Sequence, residues 1–158
     1  MIITEIHGNI NDLTADERES LTVDTVIFDN ETRLKRVQRI ISTQGVEHAL
    51  RLGNDLRELK AGDILIKDKD AILVAKIAPT DVLVITPKDI REALAVAHTL
   101  GNRHLQAQFF DADSDFGQAA MVVRFDHTAE HYLEHAGVAY TRGNHVMPEA
   151  FRHAEHSH

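Results

Sequence analysis

Val82-Leu83-Val84-Ile85-Thr86-Pro87-Lys88-Asp89 is an apolar run that breaks into a helix start, and its reading decides the fold of the second half of the chain. Four consecutive aliphatic residues suit a short buried strand. Thr86 offers an N-cap, Pro87 fits the first helical position, and Asp89 in the first turn complements the helix dipole. Ile90, Ala93, Leu94, Ala97 and Leu100 then recur at helical spacing and predict one apolar face. Gly101 falls where a left-handed C-terminal cap is wanted, so the helix is expected to end there. The chain then passes His104 and enters a second strand at residues 105–110.

Working outward, residues 111–117 form an acid-rich loop and residues 119–125 a third strand. Asp126 caps a second helix over residues 127–136, Gly137 ends it, and residues 138–141 supply a last short strand. The order βαββαβ predicts a ferredoxin-like domain, with both helices on one face of a four-stranded antiparallel sheet. Upstream the rhythm differs. Short β-branched runs at residues 2–6, 21–28, 35–41, 47–52, 64–67 and 71–77 are separated by Gly45, Gly53-Asn54, Ala61-Gly62-Asp63 and a polar stretch, residues 12–19, that reads as loop. The expected organisation is an α+β chain: a small all-β domain over residues 1–77, the ferredoxin-like domain over 78–145, and a flexible histidine-containing tail over 146–158.

Composition narrows the chemistry. At 158 residues the chain buries enough surface to need no staples, and its zero cysteines remove disulfides, thiolate metal sites and cysteine nucleophiles together. A net charge of -8 argues against nucleic acid or an anionic membrane as partner, since both require a basic surface. With neither a basic leader nor an apolar run of spanning length, the protein is expected to be soluble and cytoplasmic.

Nine of the eleven histidines lie from His98 onward, so any transition-metal site must be built there from nitrogen and oxygen. On spacing alone, a lone His104 at a helix end reads first as a turn residue. As a ligand it requires further donors, and a two-fold axis that duplicates it would supply one. His127, His131 and His135, at i, i+4 and i+8, drift only about 80° around their helix and form one stripe. The stripe reads first as a polar helix face and second as a weak site for Ni²⁺, Cu²⁺ or Zn²⁺. The segment His127-Thr128-Ala129-Glu130-His131 matches the inverted zinc-peptidase pattern H-x-x-E-H, giving zinc-dependent hydrolysis as an alternative; a non-metal structural adaptor is a third reading. His153, His156 and His158 crowd the end of the chain, where a tail captures metal through local concentration.

The stretch His98-Thr99-Leu100-Gly101-Asn102-Arg103-His104 resembles the signature of the urease accessory protein E (UreE) family of nickel metallochaperones. Asp126-His127 before the second helix, Gly137-Val138 after it, and the Leu52-Gly53-Asn54-Asp55-Leu56 and Ala61-Gly62-Asp63-Ile64-Leu65 turns of the first half are similar to that family too. The resemblance implies no catalysis. It implies a homodimer joined through the ferredoxin-like domains, with His104 of each subunit binding Ni²⁺ at the interface and His153, His156 and His158 supplementing it, while Cu²⁺ or Zn²⁺ compete. His127 matches a position where some members carry a second metal-binding histidine, although Phe125 stands where those members have another. The implied partners are apo-urease and its accessory proteins, including the accessory GTPase, and the first domain would engage them. Neutral imidazole being the ligand, metal binding is expected to fade below a pH of about 6.5.

Overall fold

In the computed structural model, which describes residues 1–152, the chain forms two compact units. The first comprises Met1–Pro79 with Val146–Ala150, the second Thr80–His145 with Phe151 and Arg152. No helix among the described residues is long and apolar enough to cross a membrane.

The first unit holds two three-stranded sheets. In one, β1 (Ile2–Ile3) runs parallel to β4 (Glu47–Arg51), which pairs antiparallel with β3 (Val37–Ile41). In the other, β2 (Thr22–Phe28) runs parallel to β6 (Ala71–Ile77) from Thr22 opposite Ala71 to Phe28 opposite Ile77. A hairpin adds β5 (Ile64–Asp68) to the far side of β6. Phe28, Leu50, Leu59, Leu65 and Ala75 are fully buried in a common core. The stretch expected as loop at residues 12–19 instead contains α1 (Ala15–Glu19). Thr14 Oγ1 accepts from the Glu17 N–H at 3.2 Å while Glu17 Oε1 accepts from the Thr14 N–H at 3.2 Å. This reciprocal box satisfies two end donors and sustains a helix too short to stand on propensity alone.

Asp63 is a buried carboxylate of this unit, with no side-chain exposure. Both its oxygens accept from the Arg57 guanidinium at 2.8 Å, and Oδ2 also accepts from the Lys60 N–H at 2.8 Å. Burial by itself would raise the carboxyl, but the Arg57, Lys60 and Asn9 hydrogen bonds outweigh it and hold its pKa below the ordinary value. Gly62 beside it has φ +91° and no room for a side chain, since a Cβ would lie 2.7 Å from Asn9 Oδ1. A depressed native pKa adds stability above the unfolded value of about 3.9 and loses it as pH falls through the native value. Asp63→Asn is therefore expected to lower unfolding stability in urea by roughly 2–4 kcal/mol at pH 7, somewhat less than for a fully buried pair because Arg57 is half exposed. The deficit should shrink towards pH 3; an equal deficit at both pH values refutes this account.

The second unit has the expected ferredoxin-like topology. Its sheet order is β10-β7-β9-β8, all antiparallel, with β7 (Thr80–Ile85) and β9 (Ala120–Arg124) central and β8 (Ala107–Phe110) and β10 (Tyr140–His145) at the edges. Two helices, α2 (Ile90–Asn102) and α3 (His127–Ala136), contribute Val96, Leu100, Ala129 and Leu133 to one core with Leu83, Ile85 and Val123.

Several details differ from expectation. The N-cap of α2 is Asp89 rather than Thr86, because Asp89 Oδ1 accepts from Glu92 N–H at 2.8 Å and Glu92 Oε1 accepts from Lys88 N–H at 3.1 Å. Thr86 is still tied to β10's approach through its N–H to Ala139 O, at 2.9 Å. The apolar face of α2 is also split: Val96 and Leu100 enter the core, whereas Ile90 and Leu94 are 78% and 67% exposed. Finally, the stretch assigned to a flexible tail from residue 146 includes Met147 and Ala150, both buried. They are held by Arg33 and Glu58 of the same unit: Arg33 Nη1 donates to Met147 O at 3.0 Å, and Glu58 Oε1 accepts from the Ala150 N–H.

Candidate metal centre

The candidate centre starts from the end of α2. A helix leaves its last carbonyls without partners, and the commonest remedy places one residue in the left-handed region just beyond the cap. Gly101, expected there, is instead inside the helix, which continues to Asn102 with Arg103 as its cap. The left-handed position falls on His104, with φ +58°. His104 N–H donates to Gly101 O at 3.0 Å and Leu105 N–H donates to Leu100 O at 3.4 Å, the paired bonds of a Schellman motif. Leu105 packs on the core that contains Leu100 and locks the turn.

The end of α3 makes the same motif with glycine. Gly137 has φ +69°, its N–H reaches Glu134 O at 3.2 Å, and Val138 N–H reaches Leu133 O at 3.0 Å. A Cβ in the left-handed region costs roughly 1 kcal/mol, so His104 carries strain that glycine at the matching place avoids. Its side chain is exposed. The turn thus fixes the backbone of an exposed histidine on the core of the unit. Among the described residues no group of three or more His, Asp and Glu converges, so His104 has no complete ligand set within these residues of one chain.

His127, His131 and His135 lie on the exposed face of α3 and line one open concavity of about 560 Å³ with Arg103, Thr128 and Tyr132. Asp126 caps the helix through Ala129 N–H at 2.9 Å, which fixes where His127 begins it. The rings of His131 and His135 meet edge to face with centroids 5.0 Å apart. Glu130 does not line this concavity; its charge bears on Tyr140 and Arg142. The Tyr140 hydroxyl donates to Glu134 Oε1 at 2.7 Å, and this bond, with the negative charges of Glu130 and Glu134, pushes its pKa up to about 12. The H-x-x-E-H pattern thus does not bring its acid into the concavity that its histidines line.

Of the other candidates, His98 stands 3.5 Å from the Asn102 amide, and His145 ends β10 with its ring 5.3 Å from that of Phe116. His153, His156 and His158 lie outside the described residues. The sequence reading missed Arg103, whose guanidinium sits 5.9 Å from the Tyr132 ring centroid and brings the end of α2 to the histidine face of α3. It also missed the groove lined by Ile90, Leu94, Ala97, Phe109 and Met121, where Phe109 on the edge strand is 70% exposed. Surplus apolar residues on α2, more than one core face can use, were the available signal.

Comparison with known proteins gives concordant matches along the chain. Residues 3–78 match the family described as UreE urease accessory protein, N-terminal domain, and residues 80–158 match the corresponding C-terminal domain. The urease accessory protein UreE of Corynebacterium urealyticum is 49% identical over 158 residues, with the whole of both chains covered. Those of Pseudarthrobacter chlorophenolicus and Micrococcus luteus are 48% and 44% identical, again over the whole of both chains.

Proposed function

The chain belongs to the UreE family of urease accessory proteins, a family of maturation factors and not of enzymes, and from that premise we propose that it carries Ni²⁺ on a site shared by two copies and delivers it to apo-urease. The observation that carries the reading is His104 in the left-handed position of the α2 turn. Imidazole is a good ligand for Ni²⁺, and a chain without cysteine has no thiolate to trap the ion. One strained, exposed histidine with no converging partners among the described residues of its own chain fits a site completed by a second His104. His153, His156 and His158 would then supplement it as labile ligands, with Cu²⁺ and Zn²⁺ as competitors, and His127 is a weaker candidate at the start of α3. Release follows from the same arrangement, because a partner such as the accessory GTPase can displace ligands singly from a site that lies at a surface.

The homodimer has its own support. Ile90, Leu94, Ala97 and Gly101 fall within about 60° of one another around α2 and lead along it towards His104. A Cβ on Gly101 would meet nothing within 4 Å, so the end of this stripe nearest His104 is open, as Ile90 and Leu94 are at its start. Covering Ile90, Leu94 and Phe109 with their counterparts removes apolar surface from water at about 25 cal/mol per Å². Sedimentation with Ni²⁺ dialysis is the test. Wild type should sediment as a dimer holding one tightly bound ion per two chains, and Leu94→Glu should sediment as a monomer that has lost that ion. A Leu94→Glu monomer with wild-type nickel affinity overturns the shared site.

A further inference from the structure

We infer that His131 and His135 form a second, independent metal site, a two-imidazole chelate on α3 for a borderline divalent cation such as Ni²⁺ or Cu²⁺. The site goes beyond the shared His104 centre and does not depend on it. Residues four apart on a helix project side by side from the same face. The two rings are already within chelating reach: their centroids are 5.0 Å apart. Two imidazoles on one ion, each with a metal–nitrogen bond of about 2.0–2.1 Å, place their centroids about 4.5–5.2 Å apart. Closing the chelate therefore needs ring rotation about the side-chain bonds rather than a shift of backbone. Both side chains are exposed and both line the open concavity, so waters can fill the remaining coordination positions.

Two features set the strength of this site. With only two protein ligands it is an exchangeable site rather than a storage one, and Cu²⁺ should bind more tightly than Ni²⁺ in the usual order of first-row metals. Arg103 lines the same concavity and opposes a bound cation. Its guanidinium is held near the Tyr132 ring, and it immediately precedes His104 in the chain. An ion captured on α3 would thus sit beside the residue next to the principal ligand, which suits an entry station for incoming metal.

The test is calorimetric titration with Ni²⁺ of the full chain carrying His104→Ala, His153→Ala, His156→Ala and His158→Ala. We expect one residual ion per chain, bound at least about tenfold more weakly when His131→Ala or His135→Ala is added. Adding Arg103→Gln instead should tighten it about threefold by removing a nearby like charge. Alanine is a better helix former than histidine, so these exposed substitutions preserve α3, and an unchanged circular dichroism melt verifies this. Residual binding that ignores both histidines overturns the assignment, as does the absence of any residual binding. The role of His104 stands or falls separately, on whether His104→Ala alone removes the ion shared by two chains.

Discussion

A His104→Gly variant is expected to lose the shared nickel ion and yet melt above the wild type. Each copy contributes one His104 to the proposed site, so a single substitution removes two imidazoles from the dimer and should weaken nickel binding by at least about 100-fold. The backbone moves the other way. Position 104 has φ +58° in a turn whose counterpart on α3 is Gly137. Glycine occupies that region without the Cβ clash, and the relief, after the extra freedom glycine gains in the unfolded chain, is about 0.5 kcal/mol. For a chain of this length that corresponds to a melting temperature higher by about 1–2 °C. Equilibrium dialysis and a thermal melt on one preparation read both effects. A variant that melts lower would mean that the imidazole works for the turn itself, and one that keeps its nickel would remove His104 from the site.

Arg33→Ala is expected to be the most damaging single change to the first unit. Arg33 sits on a short 3-10 turn, Thr32–Leu34, and its side chain is 1% exposed. Its Nε and Nη2 donate to Leu59 O at 3.2 and 2.7 Å, Nη1 donates to Met147 O at 3.0 Å, and Nη2 also reaches Pro148 O at 3.3 Å. Glu58 stands 3.5 Å from Nη2 and is itself almost buried. Truncation would strand this carboxylate and several carbonyls away from water, at a cost of about 3–5 kcal/mol. The melting transition of the unit should fall by at least about 10 °C. Lysine should not rescue it, since a point charge cannot serve carbonyls that the planar fork reaches in several directions. Because the same guanidinium holds Met147 and Pro148, Arg33→Ala should also open residues 146–150 to proteolysis. A calorimetric transition within about 3 °C of wild type would show that the clamp contributes little.

What the sequence discloses and what it hides divide along the range of the interactions. Asp126 and Gly137 bracket α3 as expected because both act within four residues of the helix they bound. The capping box at Thr14 and Glu17 is equally local, but the polar stretch around it carries no apolar periodicity and so reads as loop. At α2 local signals misled in both directions. Thr86-Pro87 looks like a helix start, but Thr86 is bonded to Ala139, 53 residues away, and Asp89 takes the cap. Gly101 looks like a helix end, but Leu105 packs on the core and draws the turn three residues on, to His104. The ordering of residues 146–150 depends on Arg33, more than 110 positions upstream, and no periodicity reports such a contact. The histidines were visible as composition; which of them share a concavity, and that Arg103 joins them, required the fold.

The exposed residues Ile90, Leu94 and Phe109 carry one more consequence. If a second copy covers them, the folded state is coupled to association, and its free energy acquires a term in the protein's own concentration. Each tenfold dilution then costs about 1.4 kcal/mol of dimer, so a scarce chain would be less stable and carry less metal than an abundant one. Abundance itself would act as a control on nickel loading.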